Sequence, residues 1–164
     1  MNNKVKIYLA GPLGFSEAGR DFHNHNIVPI IKELGYSYFD PWKTKLNKKI
    51  AAVSRLDYGK RKRNAWHKLN FQIGDLNTAE IESSDIVLAV LDGTDVDSGT
   101  AAEIGYAFAK GKKILGYRGD FRLSADNEGS TVNIQVEYFI CKSGGTIVNT
   151  IKQIKKELKR LTNT

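Results

Sequence analysis

Apolar residues fall along this chain in two rhythms, and the switching between them predicts its architecture. The run "KVKIYLA" (Lys4 to Ala10) is rich in apolar and β-branched residues and stops at Gly11-Pro12, which predicts a strand and its turn. Ser16 then stands where a helix cap is wanted. Phe22, Ile27, Ile30, Ile31 and Leu34 follow as an apolar helix side, closed by Gly35. Pro29 inside that segment predicts a kink or a break. "YSYFDPW" reads as a short second strand running into a loop. From about Asn64 to Ser83, Trp66, Leu69, Ile73 and Leu76 recur three or four apart, the spacing of a helix.

"DIVLAVL" (Asp85 to Leu91) is nearly continuous in apolar residues, as expected of a parallel strand covered on both faces. A helix beginning near Gly99 ends at Gly111, and "KKILGY" is the next strand. After a polar loop, Thr131 to Lys142 reads as helical, "GGTIVN" as a fifth strand, and Thr150 to Leu161 as a last helix. Strand and helix alternate five times. That pattern predicts an α/β fold, Rossmann- or flavodoxin-like, with a five-stranded parallel sheet between two layers of helices. No repeat or flexible linker divides residues 1–164, so a single domain is expected.

Composition narrows the function classes. With 41% hydrophobic and 26% charged residues, the chain has the balance of an ordinary globular protein. Its apolar runs are too short to span a bilayer, so no membrane association is expected. No signal segment precedes the first strand, and Cys141 has no second cysteine to pair with; both lead to the expectation of a cytoplasmic protein. The formal charge of +7 raises the question of nucleic acid. Much of the excess, however, lies in "KTKLNKK" through "YGKRKRNAWHK" and in "KQIKKELKR". The latter alternates with Ile151, Ile154, Leu158 and Leu161 as the wet face of a helix. Nucleic acid is therefore not the expected partner; the basic middle segment suits a phosphate-bearing substrate or a partner subunit.

Ligands of open parallel sheets bind beyond the carboxyl ends of the strands, and three polar clusters fall there. Tyr8 and "AGPLGF" belong to the first strand end, "DPW" (Asp40 to Trp42) to the second, and "DGTDVDSGTAAE" to the third. Glu103 would lie in the first or second turn of its helix, where side chains lean back toward the mouth of the site. Gly99 and Gly105 leave the helix face near it without bulk. The competing reading is a surface glutamate. Asp75 likewise stands beside an apolar helix face, Trp42 reads as a base-stacking platform or a core residue, and Tyr8 as a core tyrosine. No G-x-G-x-x-G follows the first strand and no Walker loop is present, so no nucleotide cofactor is expected. His23, His25 and His67 lack ligand spacing and read as solvated or capping residues. Asp92, Asp95 and Asp97 make only a weak Mg²⁺ site, so no metal is expected either. Cys141 reads as a packing residue.

Taken together, "KIYLAGPLGFSEA", "FDPW", "NFQIGDLNTAEIESSDIVLAVLDG" and "DSGTAAEIGYAFAKGK" resemble the nucleoside 2-deoxyribosyltransferase family, over about Lys4 to Val148. The resemblance implies a retaining exchange of one nucleobase for another on 2-deoxyribose, with deoxynucleosides and free bases as the small-molecule partners. Glu103 matches the nucleophile, which would attack C1′ and form a covalent deoxyribosyl-enzyme. Asp75 matches an acid that contacts the base and transfers its proton. Asp97 matches a substrate-binding aspartate that holds the sugar hydroxyls or shares the proton work. Tyr8 matches the tyrosine that orients the nucleophile. Asn133, in "STVNIQVEYF", resembles an asparagine lent by a neighbouring subunit to bind the 5′-hydroxyl, which implies a homo-oligomer with shared sites. Phe15 and Trp42 are expected beside the base, with Gly11 and Gly99 lining the site, and the "AGPLGF…DPW" version suggests a preference for purines. The basic helix "IKQIKKELKRLTNT" departs from relatives whose short tail joins the site. A nucleoside 5′-monophosphate N-glycosidase, with Ser16, Arg20, Ser98 and "GKRKR" meeting the phosphate, is the alternative.

Overall fold

A computed structural model describes residues 4–163. Its sheet has the strand order β2-β1-β3-β4-β5, and every pairing is parallel. The strands are β1 (Lys6–Ala10), β2 (Ser37–Phe39), β3 (Ile86–Val90), β4 (Lys113–Tyr117) and β5 (Ile147–Val148). The chain leaves β1 first toward β2 and later returns on its other side to β3. The order therefore reverses between β1 and β3, and a crevice opens beyond their carboxyl ends.

Strand alternation divides the core. Ile7 and Leu9 of β1, with Ile86, Leu88 and Val90 of β3, pack against α2 (Val28–Glu33) and α7 (Ile151–Thr162). Tyr8, Ala10, Val87 and Ala89 face the opposite layer, where Ile81 of α4 (Lys60–Glu82), Ile104 and Ala107 of α5 (Ser98–Ala109) and Ile140 of α6 (Ile134–Lys142) meet them. A two-residue period thus carries Tyr8 to the α5 side of the sheet.

The helix expected after Ser16 forms, with the Ser16 hydroxyl accepting from the Gly19 amide at 2.9 Å. It is not uniform: α1 (Glu17–Phe22) passes through a π turn at His23–Ile27 before α2. Pro29, one residue into α2, has no N–H to return to the preceding turn, and the wider turn sits where that bond is missing. Within the π turn His23 is buried, not solvated or capping as its isolated position suggested. Cys141 departs in the other direction, being exposed rather than packed.

One element was not foreseen. Between β2 and the long helix lies α3 (Asn47–Ser54), which buries none of its residues. It pairs with α4, which begins at Lys60 rather than near Asn64, and the two form a hairpin beside the crevice. Ten Lys and Arg against a single acid lie between residues 43 and 68. No described helix is long and apolar enough to cross a membrane.

Candidate active site

A cleft of about 440 Å³ opens where the strand order reverses, a volume suited to a small organic ligand. Its two ends differ. At one end Glu103, Asp97, Thr100 and Asn77 contribute polar groups; at the other Phe15, Trp42, Leu46, Ile50, Ile73 and Leu76 form apolar walls. Among the described residues no Lys or Arg lines it.

Glu103 stands in the second turn of α5, on the side of the sheet that Tyr8 faces. The Tyr8 hydroxyl donates to Glu103 Oε1 at 2.5 Å, and Asn77 Nδ2 lies 3.5 Å from the same oxygen. Burial pushes the Glu103 carboxyl up to about 7, the Tyr8 hydrogen bond opposes that rise, and the Asp97 charge adds to it. Burial, and then the Glu103 charge, raise the Tyr8 phenol far above its ordinary value, so Tyr8 remains a donor. A carboxylate that is desolvated, aimed by a phenol and ionised near neutrality has the character of a nucleophile.

Asp97 caps α5: its Oδ2 accepts from the Thr100 amide at 3.0 Å and the Thr100 hydroxyl at 3.1 Å. This cap explains why an acidic loop precedes the helix, and it fixes where Glu103 begins its reach. Gly99 lines the cleft in the first turn of α5. Gly105 does not: a Cβ there would meet Phe139 of α6 at an ordinary 3.6 Å, so it belongs to the helix packing rather than to the site. Gly11 has φ +149°, and a Cβ would lie 2.9 Å from Val90 Cβ, so only glycine fits at this strand end. Its carbonyl accepts from Trp42 Nε1 at 3.2 Å. Phe15 meets Trp42 edge-on, with ring centroids 4.6 Å apart.

Asp75 and Asn133 are not brought to this cleft by the single chain. Asp75 is exposed on α4, because at 100° per residue it points about 100° away from Leu76, while Ile73, Leu76 and Asn77 share the cleft-facing side. Asn77 is the polar residue sequence reasoning passed over; its place four residues beyond Ile73 was the available signal. Asn133 caps α6, its Oδ1 accepting from the Gln135 and Val136 amides at 3.0 and 3.4 Å, and its Nδ2 donates to Asp126 Oδ2 at 3.3 Å. Beside it on α6, Ile134 and Tyr138 are about half exposed, at 49% and 51%. Asp92 accepts from the Asp120 amide and Asp95 from the Val96 amide, which gives both a role in the loop. Among the described residues no cluster of His, Cys, Asp or Glu could hold a metal ion.

A parallel sheet with an acid-bearing cleft at its strand-order reversal defines an α/β protein of Rossmann-like topology with a small-molecule site. The family profile for nucleoside 2-deoxyribosyltransferase matches residues 7–135, and the chain belongs to that family. Solved structures share the fold. A conserved protein from Enterococcus faecalis is 22% identical with a TM-score of 0.68, covering 96% of this chain and 98% of its own. A 2-deoxyribosyltransferase from Bacillus psychrosaccharolyticus is 19% identical with a TM-score of 0.60, covering 92% and 90%. A CMP N-glycosidase from Clostridium botulinum is 18% identical with a TM-score of 0.55, covering 94% and 97%. No curated protein matches the chain in sequence.

Proposed function

We propose that this protein exchanges nucleobases on 2-deoxyribose through a covalent deoxyribosyl–Glu103 intermediate, with retention at C1′. The observation that carries this reading is the Glu103 carboxylate, bonded to Tyr8 at 2.5 Å and facing a cleft with one polar and one apolar end. The polar end suits the sugar and the apolar end the base. Glu103 attacks C1′ from the face opposite the base as the C1′–N bond breaks through an oxocarbenium-like state, and the departing base takes a proton from Asp97. The incoming base then attacks the face the first one left, displacing the carboxylate and returning its N–H proton to Asp97.

Base contact falls to Asn77 in this reading. The resemblance gave that role to Asp75, but the role needs a side chain in the cleft and α4 turns Asp75 away. Asp97 is the other carboxyl lining the cleft, and its Oδ1, free of the α5 cap, is open to a sugar hydroxyl or to the proton of the base. Phe15 and Trp42 border the base, in keeping with the purine preference that the "AGPLGF…DPW" version suggests. Asn133 serves the site of a neighbouring copy in a homo-oligomer, a reading supported by the exposed Ile134 and Tyr138 beside it.

The cleft also bears on the alternative nucleotide hydrolase. A 5′-phosphate wants cationic or multiple amide donors, yet among the described residues no Lys or Arg lines the cleft. Ser16 spends its hydroxyl on the α1 cap, and Arg20 donates to the Gly14 carbonyl at 3.0 Å. Neutral nucleosides therefore fit better. Incubation with deoxyinosine and adenine decides: deoxyadenosine is the expected product. Free base released from deoxynucleotides without an acceptor would replace this reading with hydrolysis.

A further inference from the structure

We propose that the buried His23–Asp40 pair is a positioning device for Trp42 and thereby sets how tightly the apolar end of the cleft grips a base; the proposal rests on the base-exchange reading above. Neither His23 nor Asp40 lines the cleft. Both are nearly inaccessible, at 7% and 4% exposure, and each Asp40 oxygen has its own partner. Oδ2 lies 3.1 Å from His23 Nε2, and Oδ1 accepts from the Trp42 amide at 3.0 Å.

The chemistry of the pair is definite. Burial alone would raise the Asp40 carboxyl, but the hydrogen bonds from His23 and from the Trp42 amide hold it below its ordinary value. An ionised carboxylate only accepts, so His23 Nε2 carries the proton between them. The π turn at His23–Ile27 supplies the buried imidazole, and β2 delivers Asp40 one residue past its end.

Trp42 has little freedom beyond this anchor. Its indole N–H is held by the Gly11 carbonyl. Its ring lies so close over Gly14 that a Cβ there would sit 1.8 Å from Cδ2. On the His23 side, a void of about 10 Å³ bounded by His23, Ile27 and Trp42 is too small to let the ring recede. The wall is thus held at its indole N–H, over Gly14 and on the His23 side, and the Asp40 bond fixes the backbone from which it projects. Holding a base-facing wall rigid lowers the ordering cost of binding rather than the chemical barrier.

The test reads both the wall and the binding. In a ¹H–¹⁵N spectrum, the Trp42 indole resonance is assigned with Trp42→Phe, since Trp66 supplies the other indole. Asp40→Ala is expected to shift that resonance and raise KM for the acceptor base by about tenfold, with kcat within roughly threefold. Asp40→Asn keeps an acceptor for the Trp42 amide and is expected to stay near the parent in both. A folded Asp40→Ala with an unmoved indole resonance and unchanged KM overturns the proposal, as does an equal loss in kcat and kcat/KM. Gly14→Ala covers the case in which Asp40→Ala does not fold. It displaces the ring while leaving the pair intact, and is expected to raise KM by a similar factor; no rise overturns the proposal. Absence of exchange by the parent protein would sink the base-exchange reading alone, and the indole resonance would still decide whether Asp40 positions Trp42.

Discussion

The two ends of the cleft are built on different principles. At the polar end, groups are held by the sheet and the start of α5: Tyr8 is completely buried, Asp97 is locked in a cap, and Glu103 accepts from the Tyr8 hydroxyl. At the apolar end, much of the wall comes from the α3–α4 hairpin, whose α3 buries nothing and whose residues 43–68 hold ten Lys and Arg against one acid. On the base-exchange reading, one end fixes atoms for reaction and the other offers surface for binding. The difference teaches that substitutions at the first should act on kcat and at the second on KM.

The largest effect expected from this contrast is at Glu103. Glu103→Ala should lower exchange at least roughly 10⁴-fold, as loss of a covalent nucleophile does. If Asn133 completes a neighbouring site, mixing that variant with Asn133→Ala subunits should restore part of the activity; retained activity in Glu103→Ala alone would remove it from the mechanism. Tyr8→Phe comes next, with kcat expected to fall about 10²-fold for loss of one preorganised donor. The Tyr8 bond lowers the Glu103 carboxyl, so its removal raises it, and the acid limb of the pH profile should move above about 7. A limb that stays in place would separate Tyr8 from the ionisation of Glu103.

Ile50→Ala trims the hairpin wall and should raise KM by about tenfold with little change in kcat. A matching fall in kcat would erase the distinction between the two ends. The smallest effect is one of stability. Burial pushes the Glu103 carboxyl up to about 7 in the folded chain, above its ordinary 4.5. Below 4.5 both folded and unfolded chains hold the proton; as pH rises toward 7 the unfolded chain loses it first, and stability declines. Glu103→Gln should therefore melt a few degrees higher than the parent at pH 8, on the scale of about 2–4 °C per kcal/mol for this size. At pH 4 the two should melt alike.

The three central strands were legible because their burial is nearly uniform: β3 is buried at every position, so its sequence is apolar throughout. α3 was not legible for the converse reason. A helix that buries no residue leaves no apolar period, and "NKKIAAVS" looks like loop between two basic runs. At the site, Glu103, Asp97, Tyr8, Phe15 and Trp42 could be singled out because strand ends and helix starts converge by topology. Asp75 drew attention as an ionisable group, whereas helical phase puts Asn77 in the cleft. His23 escaped because a π turn shifts the phase that residue spacing assumes.

The position of the hairpin carries a last consequence. α3 and the basic start of α4 form an excursion between β2 and β3, and α3 leans chiefly on α4 rather than on the sheet. On the base-exchange reading the hairpin wall is thus an exchangeable cassette: residues 43–68 can be rewritten while the Tyr8–Glu103 register, set by strand alternation and the Asp97 cap, stays where it is. Replacing residues 43–68 with a differently shaped hairpin is then the direct route to altering which bases the cleft admits, since Trp42, Asn77 and the core face of α4 are left in place.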